Sequence, residues 1–280
     1  MKLKIHPLKL EQGALLISVD VELAWGFIDI LGTNLAMKYI DVISKRSRKN
    51  IREVLKICEN LDVPMTFGFV GKLLLNNKSS NTSIWHAKDI FQSVLDSRVK
   101  HEIACHSFSH IDFSKCTKEE AKRDVSMCKK VMQDLGVNPV SFLYPRNKLG
   151  HLDVLEKEGF KIFRFRIVHN NQKHLFIQSP DLAFSLPVRV GGLMAIPFNI
   201  LFQSPRFILS TAILFATLRA LREASTKRKI LHLVFHDYLE SNILIRYLDY
   251  VLKYAKKMEK RGLIKITTMR DLYEELFKRK

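Results

Sequence analysis

Ala14-Leu-Leu-Ile-Ser-Val19 is a short, almost uninterrupted apolar run that ends on Asp20-Val-Glu22. A run of this length, closed by charge, reads as a buried strand. Further along, Asn50–Leu61 has helical periodicity with Asn50 placed as its N-cap. A second strand is expected over Val63–Val70, a helix over Lys88–Leu95 and a third strand over His101–His106. Thr117-Lys-Glu-Glu120 forms a capping box that opens a helix running to about Leu135, where Gly136 stops it. A strand over Ser141–Tyr144, a helix over His151–Glu158 closed by Gly159, and a strand over Phe160–Phe165 follow. The last elements are a strand at Lys229–Phe235, a helix at Asn242–Lys260, a strand at Leu263–Thr267 and a helix at Met269–Phe277.

Strand and helix thus alternate along most of the chain, which predicts α/β architecture with parallel strands under covering helices. A (β/α) barrel takes roughly 250 residues, so residues 1–280 are expected to form one domain. No internal repeat and no low-complexity linker interrupts it. Gly191–Leu221 breaks the alternation, because it is unusually apolar and includes Phe207–Leu218. That stretch is too short to span a bilayer, and Pro197, Pro205 and Arg206 interrupt the run before it. A buried helix is one reading. The other is an interfacial patch touching a membrane, helped by Lys227-Arg228-Lys229.

Composition narrows the partners. The chain is 47% hydrophobic and 26% charged, an ordinary globular balance. Its 46 Lys and Arg against 28 Asp and Glu leave a formal charge of +18. That excess fits either a solvated lysine-rich surface or an anionic partner. No nucleic-acid-binding motif accompanies the charge, so nucleic acid is not the expected partner. The cysteines, Cys58, Cys105, Cys116 and Cys128, form no CxxC pair and are expected to be reduced thiols. The charged start, Met1–Pro7, lacks the apolar core of a signal peptide, so a cytoplasmic protein is expected, peripheral at the inner face of the membrane if the apolar segment touches it.

Polar residues gather at the ends of the predicted strands, the rim where a parallel barrel builds its sites. Asp20 and Glu22 are two apart and share one side of a strand. Two carboxylates so placed repel unless a cation or shared proton relieves them. His106-Ser-Phe-Ser-His110 brings two imidazoles together after a strand, and imidazole with carboxylate suits zinc or another divalent first-row metal. Arg146, in Leu143-Tyr-Pro-Arg-Asn147, has the fork geometry to hold a carboxylate. His236 follows an apolar strand and precedes Asp237, as a general acid oriented by a neighbour would. Together these predict a metal held by Glu22, His106 and His110, a base at Asp20 tethered by Arg146, and an acid at His236. Asp20 and Glu22 can exchange roles at this level. Trp25, Tyr144, Asn147 and Asp237 are the candidate substrate contacts. Cys105 is expected to point away from the metal, and His101, His151 and His232 are read as structural or surface residues.

The order Asp-x-Glu, HSFSH, YPRN, LVFHD, over roughly Leu15–Leu272, resembles the polysaccharide deacetylases (the NodB-homology, carbohydrate esterase family 4 domain), in particular a subgroup from surface-glycan gene clusters. The resemblance implies a distorted (β/α) barrel of the glycoside hydrolase/deacetylase type, one divalent metal, and hydrolysis of an acetamide to amine and acetate. Zinc is the expected metal, with cobalt, nickel and iron as alternatives. Carried over by motif, Asp20 is the base, His106 and His110 are ligands, Arg146 is the tether and His236 is the acid. The sequence departs from the family where Val21 replaces a second aspartate, which moves the ligand role to Glu22. It departs again where Arg146 follows Pro145 rather than preceding it, and no tryptophan-containing fourth motif is present. Gly191–Leu221 stands where the family shapes its sugar groove. The expected substrate is an N-acetylated sugar in a glycan or precursor, lipid-linked or nucleotide-linked. The rival readings are a hydrolase of small or cyclic amides and a non-catalytic glycan- or membrane-binding module.

Overall fold

The computed structural model describes residues 5–28, 40–76, 84–166, 186–202, 207–239 and 241–278. In chain order the strands are β1 (Ile5–Pro7), β2 (Gly13–Val21), β3 (Thr66–Phe69), β4 (Glu102–Cys105), β5 (Ser141–Leu143), β6 (Ile162–Arg166), β7 (Val188–Val190), β8 (Leu193–Phe198), β9 (Ile200–Phe202), β10 (Ile230–His236) and β11 (Ile264–Ile266). The helices are α1 (Ile40–Leu61), α2 (Lys88–Leu95), α3 (Lys118–Asp134), α4 (Leu152–Lys157), α5 (Phe207–Lys227), α6 (Ser241–Glu259) and α7 (Met269–Lys278). The expected alternation is present, and the capping box forms as read, with Thr117 accepting from the Glu120 amide. Asn50, expected as a cap, instead lies inside α1, fully buried. Its amide donates to the carbonyls of Asp237 and Leu239.

The parallel run of the sheet is β8-β6-β5-β4-β3-β2-β10-β9, with β11 paired to β2 and with β7 and then β1 added antiparallel beside β8. Only Asn199 separates β8 from β9. The two ends of this parallel run therefore come from one stretch of chain, Leu193–Phe202, which follows β6 and then passes to β10. That arrangement is the distorted (β/α) barrel. The apolar segment at 191–221 is accordingly no simple interruption, because its first part is barrel wall. Every residue of β8 is buried, which explains the composition. The later part is helix α5, whose Ile213 is buried and whose Phe215 is exposed. Among the described residues no helix is long and apolar enough to cross a membrane. Pro205 and Arg206 lie outside the described residues.

Alternation along each strand sorts the core into two parts. On β2, Leu15, Ile17, Val19 and Val21 face the helices and join the large outer core. Ala14 and Leu16 join a smaller inner cluster with Leu143, Ile162, Met194, Ile196 and Ile230. The inner column of β2 therefore runs from apolar Ala14 and Leu16 through Ser18 to Asp20 and, just past the strand, Glu22. Gly68 sits opposite Asp20. A Cβ there would come within 2.3 Å of Leu143 Cδ1, so the small residue lets the interior close beneath the carboxylates.

Cys105 and Cys128 are paired as a disulfide, Cα to Cα 6.4 Å. This corrects the expectation of four free thiols. Cys105 does point away from the barrel interior, and α3 brings Cys128 against it. Cys58 and Cys116 are free.

The lower end of the barrel is closed by Glu102, a buried carboxylate on β4. It accepts from Thr66 Oγ1, Ser141 Oγ and the Arg270 amide in the first turn of α7. Burial nevertheless pushes its pKa up, against the lowering effect of those donors. Glu102→Ala is expected to cost about 2–4 kcal/mol of unfolding free energy, because it leaves three buried donors unpaired. Denaturant unfolding checks this, with exposed Glu119→Ala expected to fall within about 0.5 kcal/mol of the parent.

Candidate metal centre

The strand ends place Asp20, Glu22, His106, His110 and His236 in one cluster at the upper rim. His106 directly follows β4 and sits at the base of a loop in which Ser107 and His110 both have positive φ, 65° and 59°. Non-glycine residues adopt that conformation only where surroundings compensate. Here Ser107 Oγ accepts from the His110 amide at 2.8 Å. Asp124 on α3 accepts from the amides of Phe108 and Ser109 and from the Ser109 hydroxyl, at 2.6–2.9 Å. The HxxxH spacing is thus held as a tight loop, clamped from the helix that follows.

Glu22, His106 and His110 are buried, and their ligand atoms lie within 4.8 Å of one another. Glu22 Oε2 is 3.2 Å from His106 Nε2 and 2.9 Å from His110 Nε2. His106 Nδ1 lies 2.7 Å from the Leu143 carbonyl. A carbonyl only accepts, so Nδ1 carries a proton and Nε2 is the ring atom turned to Glu22, free to act as a ligand when the ring is neutral. Both ring nitrogens of His110 are buried; Nε2 faces Glu22 alone and Nδ1 has no hydrogen-bond partner. Three ligand atoms converging on one buried point are what a divalent cation suits, and one carboxylate with two imidazoles is a suitable donor set. The same closeness couples the charges of the group. Burial works to raise the Glu22 pKa, but the charges of His110 and His236 and the histidine hydrogen bonds hold it well below the usual range. Burial works to lower that of His106, but the Asp20 charge and the Glu22 hydrogen bond leave it raised.

Asp20 lies beside this group and is held by a different residue. Arg164 on β6 grips it with both terminal nitrogens, Nη1 to Oδ1 and Nη2 to Oδ2, each at 2.7 Å. Burial would raise the Asp20 pKa, but the Arg164 charge, followed by that of His106, keeps it below normal. The expected tether, Arg146, instead donates to the Gly26 carbonyl at 3.2 Å. The correction has a geometric reason. Arg146 lies beyond β5 in a turn with φ 53°, whereas Arg164 is within a strand and points into the barrel.

His236 Nε2 lies 4.0 Å from Asp20 Oδ2 and 3.8 Å from Glu22 Oε1. Its side chain is 20% exposed against 5% or less for Asp20, Glu22, His106 and His110, so it is the titratable group of the cluster that meets solvent. Tyr238 stacks on His236 with ring centres 5.2 Å apart, and its hydroxyl bonds Glu22. Burial and the Glu22 charge push that phenol upward.

Two proposed substrate contacts are not placed to meet substrate. Asp237 is fully buried and accepts from the backbone amides of Glu22 and Leu23 at 3.4 and 3.3 Å. Burial and the Glu22 charge push its pKa up to about 7. It shapes the turn after β2. Tyr144 is also fully buried, because strand alternation turns it outward among Phe113, Phe142 and Phe163. Its hydroxyl donates to the Gly150 carbonyl. Trp25 and Asn147 are half-buried. Trp25 packs edge-on against Trp85 at 5.0 Å and carries Lys72 Nζ 4.4 Å above its ring. Asn147 Oδ1 is buried and accepts no hydrogen bond. On the far side of the 107–111 loop lies a cavity of about 500 Å³, lined by Lys72, Phe108, Lys115 and Arg123 and by none of the rim cluster.

His232, read as structural or surface, is fully buried below Asp20. Burial, and then the Arg164 charge, push its pKa down to about 3. A histidine depressed in this way contributes stability that is present above its unfolded pKa, about 6.5, and lost as pH falls toward the folded value. The stability difference between parent and His232→Asn is therefore expected to be flat above about pH 6.5. Below that it should shrink by up to ~1.4 kcal/mol per pH unit, as urea unfolding at a series of pH values would read. Metal uptake is a separate check. The purified chain is expected to bind about one divalent ion, and Glu22→Ala and His110→Ala to bind none, by metal analysis after dialysis.

The polysaccharide deacetylase family model matches residues 40–161, a span that includes the histidine loop and Arg146 but not Asp20, Glu22, Arg164 or His236. No curated protein sequence matches the chain. Among solved structures, a protein of Mycobacterium smegmatis described as a polysaccharide deacetylase superposes with a TM-score of 0.74 at 15% identity, covering 98% of this chain and 95% of its own. A protein of Pseudomonas aeruginosa PAO1 described in the same terms gives 0.65 at 14% identity, covering 92% and 88%. An allantoinase gives 0.64 at 15% identity, with the same coverage. At these identities the likenesses establish the fold, and the family match bears out the resemblance over the HSFSH and YPRN motifs that it spans.

Proposed function

We propose that this chain, whose residues 40–161 match the polysaccharide deacetylase family and whose fold is like that of its members, is a metal-dependent hydrolase that removes the N-acetyl group from an amino sugar. The observation that carries the reading is the meeting of a buried Glu-His-His cluster with a tethered carboxylate and a partly exposed histidine, all within one rim. A divalent ion held by Glu22, His106 and His110, most simply zinc, would supply polarisation of the acetamide carbonyl and acidification of water.

The remaining chemistry belongs to the side chains. Arg164 keeps Asp20 ionised and oriented, so Asp20 accepts the proton of the attacking water. Water oxygen bonds to the carbonyl carbon, the carbon–nitrogen bond breaks, and His236 donates a proton to the departing amine. The products are acetate and a free amino sugar. His236 suits the acid role because it alone in the cluster reaches solvent. Trp25 and Trp85 form an aromatic wall suited to the apolar face of a sugar ring. We place the substrate in a glycan or a lipid- or nucleotide-linked precursor on the cytoplasmic side, with α5 and its exposed Phe215 as the membrane-contacting element.

The test is acetate release from a panel of N-acetylhexosamine glycans and nucleotide sugars with added zinc. Asp20→Asn is expected to lower kcat about 10²- to 10⁴-fold while retaining the metal. Absence of acetate release across the panel would overturn the reading. Hydrolysis of cyclic amides by the same preparation would favour a small-amide hydrolase, the reading supported by the fold likeness to an allantoinase.

A further inference from the structure

Arg164 has no solvent exposure and is the largest fully buried side chain among the described residues. Its fork can rotate about its own stem, and two oxygens of Asp20 do not by themselves fix the depth and plane in which it sits. A third bond does. Nη1 also donates to Ser18 Oγ at 2.9 Å, from the interior position directly below Asp20 on β2. Ser18 Oγ lies 2.9 Å from His232 Nε2, and His232 Nδ1 lies 3.2 Å from the Pro197 carbonyl.

Every proton in this chain has one available place. The guanidinium only donates, so Ser18 Oγ accepts from Nη1. The Pro197 carbonyl only accepts, so His232 carries its proton on Nδ1. The neutral ring then has a bare Nε2, and Ser18 must donate to it. His232 is itself pinned by Asn199, whose side-chain oxygen accepts from the His232 amide at 2.7 Å and whose amide donates to the His232 carbonyl at 3.0 Å. The series therefore begins at the β8–β9 junction, crosses to β10, returns to β2 and ends on β6. The face of Phe198, with its ring centre 5.6 Å from Arg164 Cζ, supports the guanidinium from β8.

We propose that Ser18 and His232 are positioning residues that hold the Arg164 guanidinium in the plane from which it grips Asp20 with both nitrogens, and so set the orientation of the base. This rests on the deacetylase reading for its catalytic consequence, although not for its geometry. Neither residue reaches the rim, so neither touches substrate. Their effect falls on how well Asp20 is aimed, and an aiming error of about 1 Å is worth up to ~10²-fold in rate.

The experiment uses the full chain with zinc and compares the parent with Ser18→Ala and Ser18→Thr. Ser18→Ala is expected to lower kcat about tenfold or more, with KM within about twofold and metal content unchanged, and Ser18→Thr, which keeps the hydroxyl, to recover most of the loss. Nitrogen NMR of the parent is expected to find His232 protonated on Nδ1 alone and the Arg164 terminal nitrogens in slow rotation, faster in Ser18→Ala. A Ser18→Ala enzyme with parental kcat, or a parent His232 protonated on Nε2, would overturn the proposal. If the parent releases no acetate, the deacetylase reading fails separately, and Arg164 rotation alone decides: slow in the parent and faster in Ser18→Ala supports positioning, and equal rates reject it.

Discussion

The ion pair between Asp20 and Arg164 is the constraint on which the rim depends. Both groups are withdrawn from water, at a cost of several kcal/mol each. That cost is offset only by good geometry, which two 2.7 Å bonds and the Ser18 contact provide. The pair neutralises one of the two carboxylates that β2 delivers to the rim. Glu22 is left as the charge that His106 and His110 face, and a negative pole beside two imidazoles is a site for a cation. Without Arg164, Asp20 and Glu22 would compete for the same histidines, and the roles of base and ligand proposed for them would not be separable.

The barrel makes this division possible. Its interior narrows from an apolar layer around Leu16, Leu143 and Ile196 to a polar layer of Ser18, Arg164 and His232, and then to the rim. Parallel strands bring side chains of equal height together without regard to sequence distance. Residues 18, 164 and 232 meet because β2, β6 and β10 run in one direction and the β8–β9 stretch closes the gap between β6 and β10. The Asp124 clamp on the histidine loop acts from outside the barrel, and Asp237 holds the turn after β2 from beneath.

Much of this was legible from local sequence. The apolar runs, the Thr117–Glu120 box and the glycines at 136 and 159 located the principal strands and helices, and both glycines have positive φ. Asp20, Glu22, His106, His110 and His236 were recognisable because strand-end position and residue type mark them together. Arg164 was not, since Phe160–Phe165 reads as a plain strand and the only signal is a charge inside it. Ser18 and His232 carried the same faint sign, polar residues at interior positions of buried strands. Arg146 attracted attention through its motif, yet the turn after Pro145 aims it at Gly26. β8 was hidden because a barrel-wall strand buried on both sides has no period-two pattern, and β9 because three residues are too few to show one. The Cys105–Cys128 pair depends on the packing of α3 on β4, which no spacing rule reveals.

Anomalous diffraction from crystals of the full chain soaked in zinc is the most direct measurement. A single strong peak is predicted in contact with the Glu22 carboxylate and Nε2 of both His106 and His110, with Asp20 still paired to Arg164 and not bound to the ion. A peak ligated by Asp20 with Glu22 turned away, or no peak at the rim, would contradict the assignment of ligand and base.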